Sequence, residues 1–351
     1  MRRLAGCLVL AFGLALVGCQ KKDSPLDAAL RKSLAYLASQ QSEDGGWRSK
    51  VTEPFKDGPS LTPVVLKAFV FAPAELAGPA SIRERGQAYL AGLAPKQFEG
   101  LPFPVYSLSM TVAVLPEGEQ RTNLAKVIRT HQLVEELGWK PEDLEYGGWG
   151  EGIEPYRKKN DKTDDPAASP NISNTLFALG GLHFAGAKSD DPAFVKAFEF
   201  VKHCQNEDGG FFYSPTNLRQ NKGGKDEQGH SLSYGSATCD GIRALNLCGV
   251  QAQDERMLKA RKWLDEHFEV KSVPGMEGQS PVYFYYCWTL AHAWRLAPPD
   301  KARVQQLADH LISLQNEDGS FTNPNPAMIE GDPLVATTLA TAALALCRSM
   351  L

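Results

Sequence analysis

Three nearly identical stretches decide the fold: Q-S-E-D-G-G-W at residues 41–47, Q-N-E-D-G-G-F at 205–211 and Q-N-E-D-G-S-F at 315–321. Their aspartates are separated by 164 and then by 110 residues. Both separations are close to multiples of about 55, so weaker copies should lie between the strong ones. Such copies occur at residues 98–103, 145–150 and 273–276. The sequence therefore predicts six repeated units.

Each residue type in the repeat has a structural role, which makes the motif part of the scaffold. The glycines supply the left-handed backbone conformation that we expect to end the first helix of a unit. The aspartate can accept hydrogen bonds from free N–H groups in the turn, and the aromatic ring is expected to fill the gap between neighbouring units. These scaffold residues are Gln41, Asp44, Gly45, Trp47, Gln205, Asp208, Gly209, Phe211, Gln315, Asp318, Gly319 and Phe321.

Each unit contains two predicted helices of different character. The first is amphipathic, as shown by Leu30, Leu34 and Leu37, which recur at helical spacing among polar residues. The second is apolar nearly all round and must be covered on most sides. Alternation of the two kinds predicts an all-α fold, a single closed (α/α)6 toroid of six helix-pair repeats over residues 26–351, in which an outer ring covers an inner ring. The predicted inner helices are 61–71, 105–115, 171–185, 234–247, 282–296 and 333–346.

The N-terminus predicts where the protein is located. Arg2 and Arg3 precede an apolar run at 8–17, which is too short to span a membrane and is typical of a cleavable signal peptide. The following Leu16-Val17-Gly18-Cys19 resembles a bacterial lipobox. Residues 1–18 would then be the signal peptide, and Cys19 a lipidated first residue followed by a tether at 19–25. An ordinary secretory signal or an uncleaved anchor is the alternative. We expect a lipid-anchored protein of the bacterial cell envelope, facing the periplasm or the exterior.

Composition excludes several classes of protein. The chain has 351 residues, of which 43% are hydrophobic and 22% charged, and this balance excludes a disordered chain. A net charge of −4 lacks the basic field that nucleic-acid binding requires. Five cysteines lie beyond Cys19 without a C-x-x-C spacing, so we expect mostly buried thiols and leave one disulfide open. We expect a monomer with no cofactor and no metal site.

The repeat is similar to the QW repeat of the terpenoid cyclase and protein prenyltransferase toroids. This resemblance extends from about residue 26 to the C-terminus. A closer resemblance, to the bacterial prenyltransferase/squalene oxidase repeat proteins, rests on I-S-N-T at 172–175, S-Y-G-S at 233–236 and E-G-D-P at 330–333. It implies a toroid with an apolar or isoprenoid-type ligand, and it leaves catalysis open.

The motifs of two toroid enzymes are not found. A squalene cyclase needs a D-x-D-D acid, whereas the nearest stretch is D-K-T-D-D-P at 161–166, which has the wrong spacing and resembles a solvated loop. A protein prenyltransferase needs zinc ligands that begin with D-x-C, whereas Cys239 and Asp240 are adjacent and reversed. We interpret His292, far along its inner helix, as a core residue.

The starts of the inner helices are the predicted mouth of the barrel. The weak candidates for catalysis there are Glu330, Asp332, Asp164 and Asp165, with a helix cap as the alternative role of Asp332. On one helix, Tyr285 and Trp288 share a face that could line the cavity, while Tyr283 and Tyr286 share another. The ligand-binding candidates are Tyr146, Trp149, Asn174, Tyr234, Tyr283 and Tyr285.

Three functions follow from the sequence. The first is a membrane-anchored, terpenoid-cyclase-like toroid that binds an apolar or isoprenoid-type ligand at the barrel mouth. The second is a carbohydrate-active toroid enzyme, either a glycoside hydrolase or a polysaccharide lyase, which would require two carboxylates facing each other across an aromatic cleft. The third is a non-catalytic interaction scaffold, for which the protein's own side chains would fill the cavity.

Overall fold

A computed structural model describes residues 23–93, 95–159, 165–276, 278, 280–325 and 327–351. Within those residues the fold is all-helical, as predicted, and contains twelve α-helices. Odd-numbered helices are outer and even-numbered ones are inner. The bounds are α1 Pro25–Ser39, α2 Thr62–Phe71, α3 Ala80–Ala91, α4 Pro104–Val114, α5 Glu119–Thr130, α6 Ile172–Phe184, α7 Pro192–His203, α8 Gly235–Leu247, α9 Glu255–Glu266, α10 Tyr283–Leu296, α11 Lys301–Ser313 and α12 Pro333–Met350.

The inner helices form a closed ring. Each packs against the next in the order α2, α4, α6, α8, α10, α12, and α12 packs back onto α2. In the outer layer α1 contacts both α11 and α12, so the first and last units meet. The chain is therefore a single closed (α/α) toroid, and the expectation of six helix pairs is confirmed.

The repeat glycines lie in the turns rather than at the helix ends, so the predicted helix-ending role is wrong. Helix α1 ends at Ser39, whereas the left-handed residue is Gly45, with φ of 91°. The reason for glycine is the next outer helix, because a Cβ on Gly45 would lie 2.5 Å from the carbonyl oxygen of Arg85 in α3. Gly147, Gly209 and Gly319 combine the same conformation with an equally close outer helix.

The repeat glutamines link each unit to its neighbour. The side-chain amide of Gln41 donates to Gly45 O at 2.9 Å within its own turn and to Ile82 O at 3.0 Å in α3. Gln205 donates in the same way to α9, and Gln315 donates to Ala29 O in α1, which closes the ring. Gln132 does the same for α7 and is a fourth copy that sequence analysis missed, because residues 133–146 separate it from Gly147.

The aromatic residues of the motif are completely buried between outer and inner helices. The backbone N–H of Phe211 donates to Thr238 Oγ1 at 2.9 Å, in the first turn of α8. The indole N–H of Trp47 donates to Leu37 O at 2.7 Å in α1. Asp208 accepts from the backbone N–H of Gly210 at 2.9 Å, the turn contact that the sequence indicated. Each copy thereby connects an outer helix, its turn and an inner helix.

Two further features fit a covered helical core. Cys204, Cys239, Cys248, Cys287 and Cys347 are all free, and all are buried except Cys248, which is half-buried. Among the described residues, α12 is long and apolar enough to cross a membrane by length and composition. More than half of it is buried, and it belongs to the inner ring, so the toroid accounts for its hydropathy.

Replacing Gly147 by Ala should destabilise the fold much more than replacing Gly78 by Ala. Both glycines have positive φ, but a Cβ on Gly78 meets open space, whereas on Gly147 it would lie 1.9 Å from Lys196 O. We expect about 1–2 kcal/mol of lost unfolding free energy for Gly78→Ala from the conformation alone. Gly147→Ala should lose about 1–3 kcal/mol more through steric overlap, measured by chemical denaturation. Equal losses would contradict the proposed role of the close approach.

Candidate ligand-binding cavity

Two of the acidic candidates at the predicted mouth accept hydrogen bonds from backbone N–H groups at the starts of inner helices. Glu330 is buried and accepts hydrogen bonds from the backbone N–H groups of Phe284 and Tyr285, at 2.9 and 2.7 Å, at the start of α10. Burial raises the pKa of Glu330 to about 7. Asp332 caps α12 by accepting from Leu334 N at 2.9 Å, and it also accepts from the Ser49 hydroxyl. Asp332 therefore takes the capping alternative, and both carboxylates are occupied by protein donors.

The other acidic candidates belong to the segment before α6. Asp164 lies outside the described residues. Asp165 is half-buried and accepts from Ala167 N at 2.9 Å, at a short 3-10 turn over Pro166–Ala168. This contact gives Asp165 a local structural role.

Three of the aromatic candidates point away from the barrel axis. Tyr146 packs in a small separate cluster and donates to Glu135 Oε1 at 2.7 Å. Trp149 is the buried aromatic of the third repeat, and its indole N–H donates to Ile128 O at 2.8 Å. Tyr283 donates to Val270 O at 2.5 Å and lies against His310 of α11. Trp149 and Tyr283 thus belong to the packing between the outer and inner layers, and Tyr146 belongs to the separate cluster.

Asn174 and Tyr234 are buried at the starts of α6 and α8. Both side-chain polar atoms of Asn174 lack a hydrogen-bond partner among the described residues. Tyr234 precedes α8, and its side chain packs closely against Gly223 and Gly275. Neither residue is part of the lining of the cavity described below.

A polar column fills the part of the axis next to these helix starts. The Tyr285 hydroxyl is 2.7 Å from Ser173 Oγ and donates to Asp240 Oδ2 at 2.7 Å. Thr289 donates to the other oxygen of Asp240 at 2.6 Å and accepts from Arg243 Nη1 at 2.8 Å. Burial raises the pKa of Asp240 to about 6, although Arg243 and these donors oppose the rise. The protein's own side chains therefore occupy this part of the axis.

A cavity lies at the opposite end of the ring, against our expectation of a site at the helix starts. It has a volume of about 470 Å³ and is lined by all six inner helices, mainly by their C-terminal halves. Small residues make room for it, whereas the larger ones form an aromatic and cationic wall. The lining includes Lys67, Phe177, Gly180, Arg243, Trp288 and His292.

Trp288 is the centre of the cavity wall. Its ring centroid lies 5.7 Å from that of Phe177 and 5.5 Å from that of Tyr285, on the helix face that the sequence indicated. Lys67 Nζ lies 4.7 Å from the Trp288 centroid, and the Arg243 guanidinium carbon lies 4.6 Å from it. The cavity thus combines aromatic surface with two cations, an arrangement suited to an amphipathic ligand.

Lys67 is in an unusual position for a lysine. Burial, and to a smaller degree the nearby Arg243, lower the pKa of Lys67 to about 7. Lys67 lies deep in the ring, but it is only half-buried because it borders the cavity. Within the described part of the chain it makes neither an ion pair nor a hydrogen bond, and its neighbours are the rings of Phe71, Phe177 and Trp288.

Sequence analysis missed the cationic side of this cavity, although a signal was present. Lys67 is the one charged residue of α2, and Arg243 lies in an inner helix that must be covered on most sides. Charges in such helices indicate function because their burial costs stability. His292, interpreted as a core residue, lines the cavity 5.1 Å from Trp288, and burial lowers its pKa well below the ordinary range.

The family model of the prenyltransferase alpha-alpha toroid domain matches residues 86–231 and 259–351, which is more than half of the chain. The chain belongs to this family. No curated protein matches the chain by sequence. Nor do the described residues contain a group of three or more His, Cys, Asp or Glu arranged to hold a metal ion.

Two kinds of solved structure are similar in fold. A type II terpene cyclase, MstE from Scytonema, in complex with merosterolic acid A, is 13% identical, with a TM-score of 0.60 over 93% of this chain and 98% of that one. The GH76A α-1,6-mannanase from Salegentibacter sp. HEL1_6 is 14% identical, with a TM-score of 0.60 over 93% of this chain and 99% of that one. At these identities the similarity establishes the toroid fold alone.

Replacing Lys67 by Met should stabilise the protein at neutral pH, because it removes a charge whose burial is unfavourable. The pKa of Lys67 falls from 10.5 to about 7 on folding, so the unfolded chain binds more protons between those values. The stability of the wild-type protein therefore rises with pH across that interval, and the advantage of Lys67→Met should shrink. Denaturation curves at several pH values test this expectation. Lys126→Met, on the exposed face of α5, should change little, and the same pH response in both variants would contradict the assignment.

Proposed function

We propose that this protein is a membrane-anchored toroid that binds an apolar, isoprenoid-type ligand in the cavity between the C-terminal halves of its inner helices. The observation that carries the proposal is the aromatic wall of Phe177 and Trp288 in a 470 Å³ space that the protein's own side chains leave empty. Burial of apolar ligand surface against these rings supplies about 25 cal/mol per Å². The ligand site therefore lies at the end of the ring opposite to the mouth considered first.

The similar terpene cyclase supports the choice of ligand class. MstE from Scytonema has been solved with geranylgeranyl dihydroxybenzoate as its substrate, at a TM-score of 0.58 to this chain. That molecule joins an isoprenoid chain to a polar ring, and the cavity of this protein offers apolar and cationic surfaces side by side. The same general ligand type suits both proteins.

Binding without cyclisation fits the acidic groups that are present. Protonation of an alkene requires a very strong acid, and the chain has no D-x-D-D motif. Asp240, a buried carboxylate beside the cavity-lining Arg243, accepts hydrogen bonds from Tyr285 and Thr289 and lies 3.8 Å from Arg243. These contacts stabilise its charged form, and with a pKa of about 6 it is a weak acid.

A carbohydrate-active enzyme is the second hypothesis, and the mannanase similarity is its basis. Glycoside hydrolysis uses two carboxylates on either side of the scissile bond. No carboxylate lines the cavity described here, and Glu330 and Asp332 at the other end are bound to helix N-termini. A pure scaffold is disfavoured because the cavity is not filled by the protein. An apolar ligand fits these observations better than a glycan.

Replacing Gly180 by Leu should block the ligand site without harming the fold. No heavy atom lies within 4 Å of the position of a Cβ on Gly180, so the new side chain would extend into the cavity. Helix propensity alone favours the change by about 0.8–1 kcal/mol. Titration calorimetry with farnesol should show at least about a tenfold loss of affinity, equivalent to 1.4 kcal/mol. The control Gly118→Leu, in open space before α5, should bind like the wild type. Unchanged binding by Gly180→Leu would refute the assigned location.

The membrane anchor is part of the proposal and rests on Cys19. Helix α1 begins at Pro25, so the tether between the lipid and the toroid would be short. Replacing Cys19 by Ser should abolish lipidation and release the protein from bacterial membranes, as seen by mass spectrometry and fractionation. Cys7→Ser, inside the predicted signal peptide, should leave both unchanged. A Cys19→Ser protein that stays lipidated would contradict the lipobox interpretation.

A further inference from the structure

Two cationic side chains from different inner helices meet at the Trp288 ring. Lys67 comes from α2 and Arg243 from α8, and both border the cavity. Their charged groups lie 4.7 and 4.6 Å from the ring centroid. The attraction to an aromatic face contributes about 0.5–2 kcal/mol, which is less than the cost of removing a cation from water. Further stabilisation is therefore expected from an anion.

The protein's own acidic groups neutralise these two cations only in part. Arg243 uses Nη1 to donate to Thr289 and is 3.8 Å from Asp240, which leaves its remaining N–H groups without a hydrogen bond in the described structure. Lys67 has no acidic neighbour among the described residues. Buried charges are normally paired, and a missing partner in a cavity points to a bound one.

The helix dipoles do not replace this partner. Cations are favoured near helix C-termini, but the effect falls off within the last turn. Lys67 and Arg243 each lie four residues before the end of their helix, at Phe71 and Leu247. The dipole contribution at these positions is correspondingly weak.

The charge balance indicates how much negative charge is missing. Lys67 and Arg243 are positive and Asp240 is negative, which leaves a net charge of +1 when Lys67 is protonated. His292 is neutral because burial and the neighbouring cations lower its pKa. Arg295 is exposed at the rim, where water solvates it. One negative charge neutralises the interior of the cavity, whereas a diphosphate would bring more negative charge than the cavity needs.

We infer that the cavity selects ligands that carry a single carboxylate at the end of an apolar chain. The carboxylate would bind between Lys67 Nζ and the free N–H groups of Arg243, and the chain would lie against Phe177 and Trp288. This inference rests on the proposed function, since it specifies the head group of the same ligand. Arg243 suits the role because its planar fork matches a carboxylate.

Three probes that share one isoprenoid chain test the inference: farnesol, farnesoic acid and farnesyl diphosphate. With the purified full-length protein, calorimetry near neutral pH should show that the acid binds about tenfold or more tightly than the alcohol, since a charge-assisted hydrogen bond contributes about 1.5–3 kcal/mol. Equal affinities of acid and alcohol would overturn the inference and leave the proposed function standing. Tighter binding of the diphosphate than of the acid would overturn the inference that the ligand carries a single negative charge. If none of the three probes binds, the proposed function fails as well.

The variant Lys67→Gln distinguishes the contribution of the ligand's head group to binding from the contribution of its apolar chain. It should lower the affinity for farnesoic acid several-fold, since Arg243 still binds the carboxylate, while leaving farnesol binding unchanged. Lys126→Gln, at an exposed position of α5, is the control and should bind both probes like the wild type. A Lys67→Gln protein that prefers the acid as strongly as the wild type does would overturn the assignment of Lys67. Loss of farnesol binding in the same variant would show a structural role for Lys67 and would overturn the assignment as well.

The dependence on pH gives a second measurement. The titratable groups that line the cavity with Lys67 are Arg243 from α8, His292 and Arg295 from α10, and His183 from α6, while α4 and α12 contribute no titratable lining residue. Asp240 of α8 lies behind this lining, 3.8 Å from Arg243. Since the pKa of Lys67 is about 7, the affinity for the acid should be highest just below that pH, where Lys67 and the ligand carboxylate are both charged, and should fall above it. Lys67→Arg should keep its affinity above that pH. A wild-type affinity that does not fall would overturn the inference.

Discussion

The side-chain amide of one repeated glutamine holds the toroid together. In four of the six units it donates one hydrogen bond to its own turn and one to a carbonyl of the next outer helix. The last of these, from Gln315 to Ala29, joins the end of the chain to its beginning. Because each bond fixes one unit against the next, the inner helices have a fixed spacing, and the space along the axis is determined by the side chains that point into it.

Those side chains divide the axis into two halves. Toward the helix starts, Tyr285, Ser173 and Asp240 form a hydrogen-bonded column that occupies the centre. Toward the helix ends, small residues such as Gly180, Ala113 and Ala345 leave the centre open. The cavity is thus a consequence of residue size at the second half of each inner helix. It is bordered on one side by Trp288, which also contacts the column through Tyr285.

Sequence reasoning predicted the ring and its six units because the repeat motif is a short contiguous stretch, from which each unit forms its own turn. It did not find Gln132, because the insertion that follows separates it from the rest of its motif. It also placed the candidate site at the helix starts, where carboxylates are expected both in caps and in active sites, and Glu330 and Asp332 are in fact bound to helix N-termini. Which inner-helix positions meet at the axis depends on packing between units, which no single helix pattern reveals. The clearest local signal was the charge of Lys67 in an otherwise apolar helix.

The proposed ligand site lies in the open half of the ring and not in the closed half, and a crystal structure of the protein with farnesol distinguishes the two. We expect ligand density between Phe177 and Trp288, with the hydroxyl end toward Lys67. Density at the helix starts, near Glu330 and Tyr234, with the Trp288 cavity empty, would refute the proposed location.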